Sequence, residues 1–230
     1  MDLRRGKVIV IEGCDGSGKA TQTQKLYERL SNEGYRIKKV EYPNYESKSS
    51  ALVKMYLSGC FGKDPEDVNP YVASTFYAVD RFASYKTEWK EFYLNGGIII
   101  ADRYTTANMI HQASKIRDLE EKNKFLDWIW NFEFEIFGLP IPDCVVFLDM
   151  PPECSKQLMT ERVNKMTGDI DKDIHEKDHE YLIHSYNTSC EISKKYDWLK
   201  INCVDNGNIK SIDRIHDEVY EGLKKKILNV

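Results

Sequence analysis

A glycine-rich heptapeptide, Gly13-Cys14-Asp15-Gly16-Ser17-Gly18-Lys19, places the strongest constraint on what this chain can fold into. It directly follows an apolar run at 7–11 and directly precedes an amphipathic stretch at 19–32. A phosphate-binding P-loop requires this order of strand, loop and helix, because its glycines turn backbone N–H groups toward phosphate oxygens and the helix N-terminus favours negative charge. The sequence therefore predicts a nucleotide-binding α/β protein.

The residue after Lys19 departs from the usual P-loop. That position normally carries a Ser or Thr whose hydroxyl ligates Mg²⁺, but here it is Ala20, and the hydroxyl of Thr21 comes one residue later. A methyl group cannot coordinate a metal, so we expect magnesium ligation to be partly rerouted. Lys19 itself supplies a positive charge for the transferring phosphoryl group.

Apolar runs that suit buried strands alternate with helical patterns along the whole chain. This alternation is typical of a three-layer α/β/α fold with a parallel sheet. Five runs are predicted as strands: Lys7–Ile11, Arg36–Tyr42, Gly97–Ala101, Cys144–Leu148 and Leu199–Cys203. Helices are predicted at 19–32, about 47–58, 69–94, 105–137 with a break near Asp118, 152–165, 176–195 and 209–228.

The chain is predicted to be one domain over 1–230 with one mobile segment. Residues Met166–Lys177 are polar and charged and show no apolar helical stripe. A polar loop of that length in a compact protein is often a lid. We therefore expect a lid at about 165–178.

Composition excludes several other classes of protein. The 230 residues carry a formal net charge of −4, which disfavours broad electrostatic binding to nucleic acid or anionic membranes. The apolar run Val8–Ile11 is too short for a signal peptide or a membrane span. Six scattered cysteines form no CxxC pair and no zinc-type cluster. These features favour a cytoplasmic location with reduced thiols.

Two further constellations carry candidate chemistry. Asp102-Arg103 follows a predicted strand, at the sheet edge where ligands bind, so Asp102 can hold a magnesium-bound water and Arg103 can bridge phosphates. Tyr77 and Arg81 lie four residues apart on a predicted helix and share a face. A flat ring beside a bidentate donor can stack on and hydrogen-bond a nucleobase.

These residues resemble those of thymidylate kinases of the bacterial type, which are P-loop nucleoside monophosphate kinases. The resemblance runs through EGCDGSGKATQTQKL, YPNY, FYAVDR, IIIADRYTTANMIHQ, CVVFLDMPPE and the late INC strand, and so covers nearly the whole chain. It implies a P-loop NTP hydrolase-like kinase fold with a five-stranded sheet. It also implies phosphoryl transfer from ATP to dTMP with Mg²⁺, and a homodimer.

The resemblance also implies a set of site residues. Catalysis would fall to Lys19, Asp102, Arg103 and Arg162, and Mg²⁺ would be held by Asp102 and Asp15. The ATP-binding positions are Gly13, Cys14, Asp15, Gly16, Ser17, Gly18, Lys19, Ala20 and Thr21. The dTMP-binding positions are Asp15, Pro43, Tyr45, Leu57, Tyr77, Arg81, Arg103, Tyr104, Asn108, His111 and Gln112.

Within that set, particular roles are implied for several dTMP-binding residues. Asp15 would reach the deoxyribose 3′-hydroxyl and Tyr77 would stack on thymine, where the family usually has Phe. Arg81 would hydrogen-bond the base. Asn108 and Gln112 would line its edge.

The chain departs from the family pattern in the acceptor site and the lid. Asn44 stands where an Arg often grips the acceptor phosphate, and His111 stands where a Tyr or Phe presses against the sugar. The lid carries lysines, with Arg162 just before it. A lysine is a point charge without the bidentate fork of arginine.

The sequence leaves two alternative functions open. A deoxynucleoside kinase that acts on thymidine needs a general base, and Glu41 at the end of the second predicted strand is the candidate. A non-catalytic nucleotide-binding module is the other alternative, because of Ala20. Against it, the only candidate for the guanine-reading Asn-Lys-x-Asp motif, at 164–167, lacks the Asp.

Overall fold

The computed structural model describes residues 5–159 and 179–228 and contains a five-stranded parallel sheet, as predicted. The strand order is β2-β3-β1-β4-β5, so the strand that leads into the P-loop lies at the centre. All four neighbouring pairs are parallel. The strands are β1 Lys7–Glu12, β2 Ile37–Glu41, β3 Ile98–Asp102, β4 Cys144–Asp149 and β5 Leu199–Asn202.

Helices connect the strands close to the predicted positions. They are α1 Lys19–Asn32, α2 Ala51–Leu57, α3 Pro70–Ser84, α4 Lys90–Leu94, α5 Thr105–His111, α6 Leu119–Trp130, α7 Pro152–Met159, α8 His179–Lys195 and α9 Ile212–Leu223. Short 3₁₀ turns lie at Lys48–Ser50, Pro65–Asp67 and Ala113–Lys115, and π-helical turns at Tyr85–Trp89, Asn131–Ile136 and Lys224–Leu228. The predicted break near Asp118 is confirmed, because Asp118 is the N-cap of α6 and accepts a hydrogen bond from the Glu121 N–H at 2.9 Å.

The side chains of the sheet alternate between two hydrophobic layers, as the period of a strand requires. In β1, Val8 and Val10 enter the cluster on one face, and Ile9 and Ile11 enter the cluster on the other. The aromatic-rich segment 125–137 packs into the first cluster, where Phe125 and Phe134 are buried. Both faces of the sheet are therefore covered, which explains why the three inner strands, β3, β1 and β4, are almost uniformly apolar.

The parallel arrangement brings the carboxyl ends of β1, β3 and β2 together. Ile11 pairs with Asp102, and Asp102 pairs in turn with Glu41. The P-loop and the Asp102-Arg103 turn therefore leave the sheet side by side, at the edge where ligands bind in open α/β sheets.

One element was not predicted from the sequence. Val204–Asp205 and Asn208–Ile209 pair antiparallel as β6 and β7 just after β5. The turn between them contains Asn206 and Gly207 with φ of 50° and 79°, the left-handed conformation of a two-residue hairpin. Within the described ranges, no helix has the length and apolar character needed to cross a bilayer.

Candidate active site

The P-loop forms a tight turn between β1 and α1 that depends on glycine. Gly13 has a φ of 155°, and a Cβ atom there would lie 2.7 Å from Ser17 Oγ. Gly18 has a φ of 86° and is the N-cap of α1. The loop therefore presents its backbone at the N-terminus of a 14-residue helix, the arrangement that favours bound phosphate.

Lys19 lies inside this loop. Its Nζ donates to the Cys14 carbonyl at 2.7 Å and lies 3.9 Å from Asp15 Oδ1, and the residue is 6% exposed. Burial, together with the nearby Arg103 charge, lowers the pKa of Lys19. Asp15 and Asp102 oppose that shift and favour the cation. A phosphate in the loop would favour the charged amine in the same way.

Arg103 joins the P-loop to α5. Its Nη2 donates to the Asp15 carboxylate, and its Nη1 lies 2.9 Å from His111 Nε2. The Arg103 backbone has a φ of 65°, which non-glycine residues seldom adopt. Burial disfavours its charge, but Asp15 and Glu12 raise the pKa of the guanidinium above its ordinary value. Arg103 is therefore a permanent cation fixed between the loop and the helix.

His111 faces this cation as a neutral ring. Burial and then the Arg103 charge lower the pKa of His111 to about 3. A neutral imidazole can accept the Arg103 hydrogen bond at Nε2. The ring also stacks against Tyr181, with centroids 6.2 Å apart and an interplanar angle of 23°.

The His111→Gln variant should change how stability depends on pH. In the unfolded chain His111 binds a proton near its ordinary pKa of 6.5, whereas in the folded protein it does so only near 3. The wild type therefore loses stability as the pH falls through this window, and the variant should lose less. Urea unfolding at pH 7 and pH 4.5 measures how much free energy of unfolding each protein loses between the two pH values. Equal losses in the wild type and the variant would contradict the assignment of His111 as a neutral ring.

The two predicted magnesium ligands, Asp15 and Asp102, lie at the same edge of the sheet. Asp102 ends β3 and is 7% exposed, whereas Thr21 is exposed on α1. Across residues 5–159 and 179–228, no three His, Cys, Asp or Glu side chains are grouped so that they could hold a metal by themselves. Magnesium usually takes one or two carboxylates together with substrate phosphates, so Asp102 beside the P-loop fits this ion.

An aromatic wall lies between α2 and α3. Tyr77 packs edge-on against Tyr56 with centroids 6.3 Å apart. Leu57 is buried in the same cluster, and Tyr45 packs against it. The structure therefore brings together three residues that the sequence predicted for one pocket.

The polar residues of the predicted base pocket are held by α3 and α5. Asn108 Nδ2 donates to the Ser74 carbonyl at 3.2 Å. Gln112 is 1% exposed, and its Oε1 accepts no hydrogen bond from the described residues. A buried carbonyl oxygen without a donor is costly. Gln112 is therefore suited to accept a hydrogen bond from a ligand.

Arg81 is almost completely buried and paired with an acidic residue. It is 1% exposed, and its Nε and Nη2 donate to the two carboxylate oxygens of Glu133 at 2.7 and 2.6 Å. Its Nη1 donates to the Tyr104 carbonyl at 3.3 Å. These bonds occupy three of the five guanidinium N–H groups.

The YPNY segment is anchored by Asp80, the residue before Arg81. Asp80 accepts from the Asn44 N–H at 2.8 Å and from Ser49 Oγ at 2.6 Å, and the Tyr42–Pro43 peptide is cis. The Asn44 side chain lies 3.4 Å from Glu88 Oε1. The position where the resemblance implies a phosphate-binding Arg is therefore occupied by Asn44, whose neutral side-chain amide contacts the π-helical turn Tyr85–Trp89.

Three acidic residues of the site were missed by the sequence reasoning: Glu12, Asp80 and Glu133. Glu12 is fully buried and accepts from the Gly13 N–H at 3.1 Å and from Thr106 Oγ1 at 2.8 Å. Burial raises its pKa. Glu12 could have been identified from the sequence, because it is an acidic residue at the end of an apolar strand. Glu133 could also have been identified, because it lies four residues after Ile129, which is buried, and so falls on the same helical stripe.

Other predicted residues lie away from the pocket or outside the described ranges. Glu41 is exposed at the end of β2, whereas its neighbour Tyr42 is 3% exposed. This placement disfavours Glu41 as a general base in a buried site. Arg162 and the predicted lid at about 165–178 lie outside the described residues.

Comparisons with known proteins point to one family. A family model described as thymidylate kinase matches residues 11–207. A thymidylate kinase of Plasmodium falciparum is 25% identical over 97% of this chain and 92% of the relative. A thymidylate kinase of Exiguobacterium is 28% identical over 94% of this chain and 93% of the relative. The human thymidylate kinase is 30% identical over 65% of this chain and 64% of its own length.

A solved structure shows the same fold. The thymidylate kinase of Candida albicans superposes with a TM-score of 0.69 over 96% of this chain and 92% of that chain, at 20% identity. At this identity the likeness concerns the arrangement of helices and strands alone.

Proposed function

We propose that the residues around Lys19, Arg103 and Arg81 carry out phosphoryl transfer in this chain. The chain belongs to the thymidylate kinase family and is a nucleoside monophosphate kinase that transfers the γ-phosphoryl group of ATP to dTMP. The observation that supports this assignment is the position of Arg103. It contacts Asp15 in the P-loop and His111 on α5. One fixed cation thus lies between the donor side and the acceptor side.

On the donor side, the P-loop N–H groups and Lys19 hold the ATP phosphates. Lys19 neutralises charge that builds up on the transferring phosphoryl group. The attacking oxygen of a monophosphate is already ionised at neutral pH, so no general base is needed. The exposed position of Glu41 is consistent with a reaction that needs no general base. The same position disfavours the alternative of a thymidine kinase, which would need one.

Magnesium completes the donor side. When bound beside Asp102, it would neutralise part of the charge on the ATP phosphates. We assign its protein contact to Asp102, because the Asp15 carboxylate is engaged by Arg103. Asp15 as a second ligand and Arg162 as a catalytic cation stay predictions.

On the acceptor side, the pattern of hydrogen-bonding groups suits a thymine. Arg81 can only donate hydrogen bonds, and Gln112 Oε1 can only accept them. Thymine presents a carbonyl at C4 and an N–H at N3, which match these two groups. Cytosine presents an amino group at C4 and an acceptor at N3, so both contacts would be lost. We assign stacking on the base to Tyr77, with Tyr45 and Leu57 as the adjoining walls.

The sugar and phosphate of dTMP lie near His111 and Arg103 in this assignment. Asp15 reaches the 3′-hydroxyl, His111 packs against the sugar, and Arg103 takes the phosphate. Pro43, Tyr104 and Asn108 complete the dTMP-binding set.

A coupled ADP-release assay with ATP and Mg²⁺ tests the function. We expect turnover with dTMP, and dCMP should be at least about tenfold worse, since a buried polar group would lose its partner. Thymidine, dUMP and UMP complete the panel. If thymidine but not dTMP is used, the monophosphate assignment is wrong. If no acceptor is used, the chain is a binding module.

A homodimer is supported by an exposed apolar surface on α3 and the π-helical turn Asn131–Ile136. Val79 is 44% exposed and Ile136 is 69% exposed. Phe82 of α3 packs against Phe137, with ring centroids 5.1 Å apart, and so connects the two elements. We propose that a second copy of this chain covers this surface.

The cytoplasmic location stays a prediction.

Replacing Ile136 with Glu should convert this dimer into a monomer, because a charge would be buried at the interface. Sedimentation equilibrium measures the mass. Leu119→Glu is a matched control, since Leu119 is 67% exposed at the start of α6. If both variants keep the dimer mass, or both lose it, this surface is not the interface.

A further inference from the structure

Glu133 forms a buried ion pair with Arg81 and has no role so far in the proposed reaction. The two side chains are 1% and 0% exposed, and two parallel hydrogen bonds join the guanidinium to both carboxylate oxygens. A bidentate pair of this kind fixes the plane and direction of the guanidinium as well as its position. The orientation of Arg81 is therefore set by Glu133.

Glu133 is itself held by more than Arg81. Thr105 Oγ1 donates to Glu133 Oε2 at 2.8 Å, and Thr105 is the first residue of α5. Arg81 Nη1 donates to the carbonyl of Tyr104, the residue between Thr105 and Arg103. These bonds connect Arg81 and Glu133 to the turn that carries Arg103.

The local backbone explains how a glutamate comes to lie there. Glu133 is in the π-helical turn Asn131–Ile136 that follows α6. Glu133 and Phe134 are buried, whereas Glu135 and Ile136 are exposed. π-helical turns inside helices are often found at functional sites. Burial of a carboxylate is costly unless it is paired, and here Arg81 supplies the pair.

We propose that Glu133 is a positioning residue that aims the remaining N–H groups of Arg81 at the base, and so sets the preference for a pyrimidine with a carbonyl at C4. This inference rests on the proposed function. Because Glu133 occupies one edge of the guanidinium, Arg81 keeps one fixed direction in which to donate. Without that constraint the side chain would have to be ordered by the ligand, which weakens binding.

The test compares Glu133→Gln with Glu135→Gln. Both replace a carboxylate by an amide of similar shape, but Glu135 is exposed two residues further along the same turn. We expect Glu133→Gln to raise the KM for dTMP about tenfold, as for a lost charge-assisted hydrogen bond, with the KM for ATP changed less than about twofold. The ratio of kcat/KM for dTMP to that for dCMP should fall about tenfold as well. Glu135→Gln should resemble the wild type.

Thr105→Val provides a second variant if Glu133→Gln fails to fold. It removes one hydrogen bond to Glu133 and keeps both charges, so we expect a rise of about threefold in the KM for dTMP alone. Equal changes in the KM for dTMP and ATP, or an unchanged dTMP to dCMP ratio, would overturn the positioning role. Failure of the proposed function is a separate result, because the wild type itself would then not phosphorylate dTMP.

Discussion

Replacing Lys19 with methionine should lower kcat for dTDP formation by about 10²–10³-fold, because the transferring phosphoryl group loses a buried cation. The expected effect is on turnover rather than on folding. Lys19 is 6% exposed, and its hydrogen bond goes to the Cys14 carbonyl at 2.7 Å within the same loop. Methionine keeps most of the aliphatic stem, so the cavity stays filled.

The measurement is steady-state ADP release at saturating ATP and dTMP. Lys25→Met is the control, since Lys25 lies on the same helix and pairs with Asp213 at the surface. The thermal transition of Lys19→Met should stay close to that of the wild type. A kcat within about tenfold of the wild type would contradict the assignment of Lys19 to the phosphoryl group.

Replacing Arg81 with methionine should have the largest effect on stability. Glu133 would then be a buried carboxylate without its cation, which costs about 3–5 kcal/mol of the free energy of unfolding. Burial disfavours the charge of Arg81, and Glu133 raises its pKa above the ordinary value, so the two charges depend on each other. Urea unfolding at pH 7 measures the loss.

The double variant Arg81→Met with Glu133→Leu separates stability from recognition. Removing both buried charges should restore most of the lost stability, because apolar replacements of a buried ion pair are often neutral or better. The KM for dTMP should nevertheless stay at least about tenfold above that of the wild type. If the double variant binds dTMP as the wild type does, Arg81 has no part in reading the base.

The sheet and most helices were predictable because their signals are local. The three inner strands are buried on both faces and read as apolar runs. The bounds of all five predicted strands lie within one residue of the observed ones. The helix Lys19–Asn32 was predicted with the observed bounds, since the P-loop fixes its start and Gly34 follows its end. The hairpin at 204–209 was missed because two-residue strands carry too little pattern to detect.

The candidate site was less predictable because partners come from distant parts of the chain. The motif that contains Arg81 suggested a base contact, but its pairing with Glu133, 52 residues further along, depends on how α3 packs against α6 and its π-helical turn. The left-handed backbone of Arg103 likewise has no sequence signal. Asp80 was adjacent to a recognised residue, yet its role in holding the Asn44 loop required the folded geometry.

The acceptor in this reaction is the phosphate of dTMP, and the identity of the product tests this most directly. Purified wild-type protein is incubated with ATP, Mg²⁺ and either dTMP or thymidine, and the products are identified by phosphorus NMR. We predict dTDP, with its two coupled phosphorus signals, from dTMP and no product from thymidine. Formation of dTMP from thymidine, with dTMP itself left unchanged, would contradict the account and assign the chain to the nucleoside kinases.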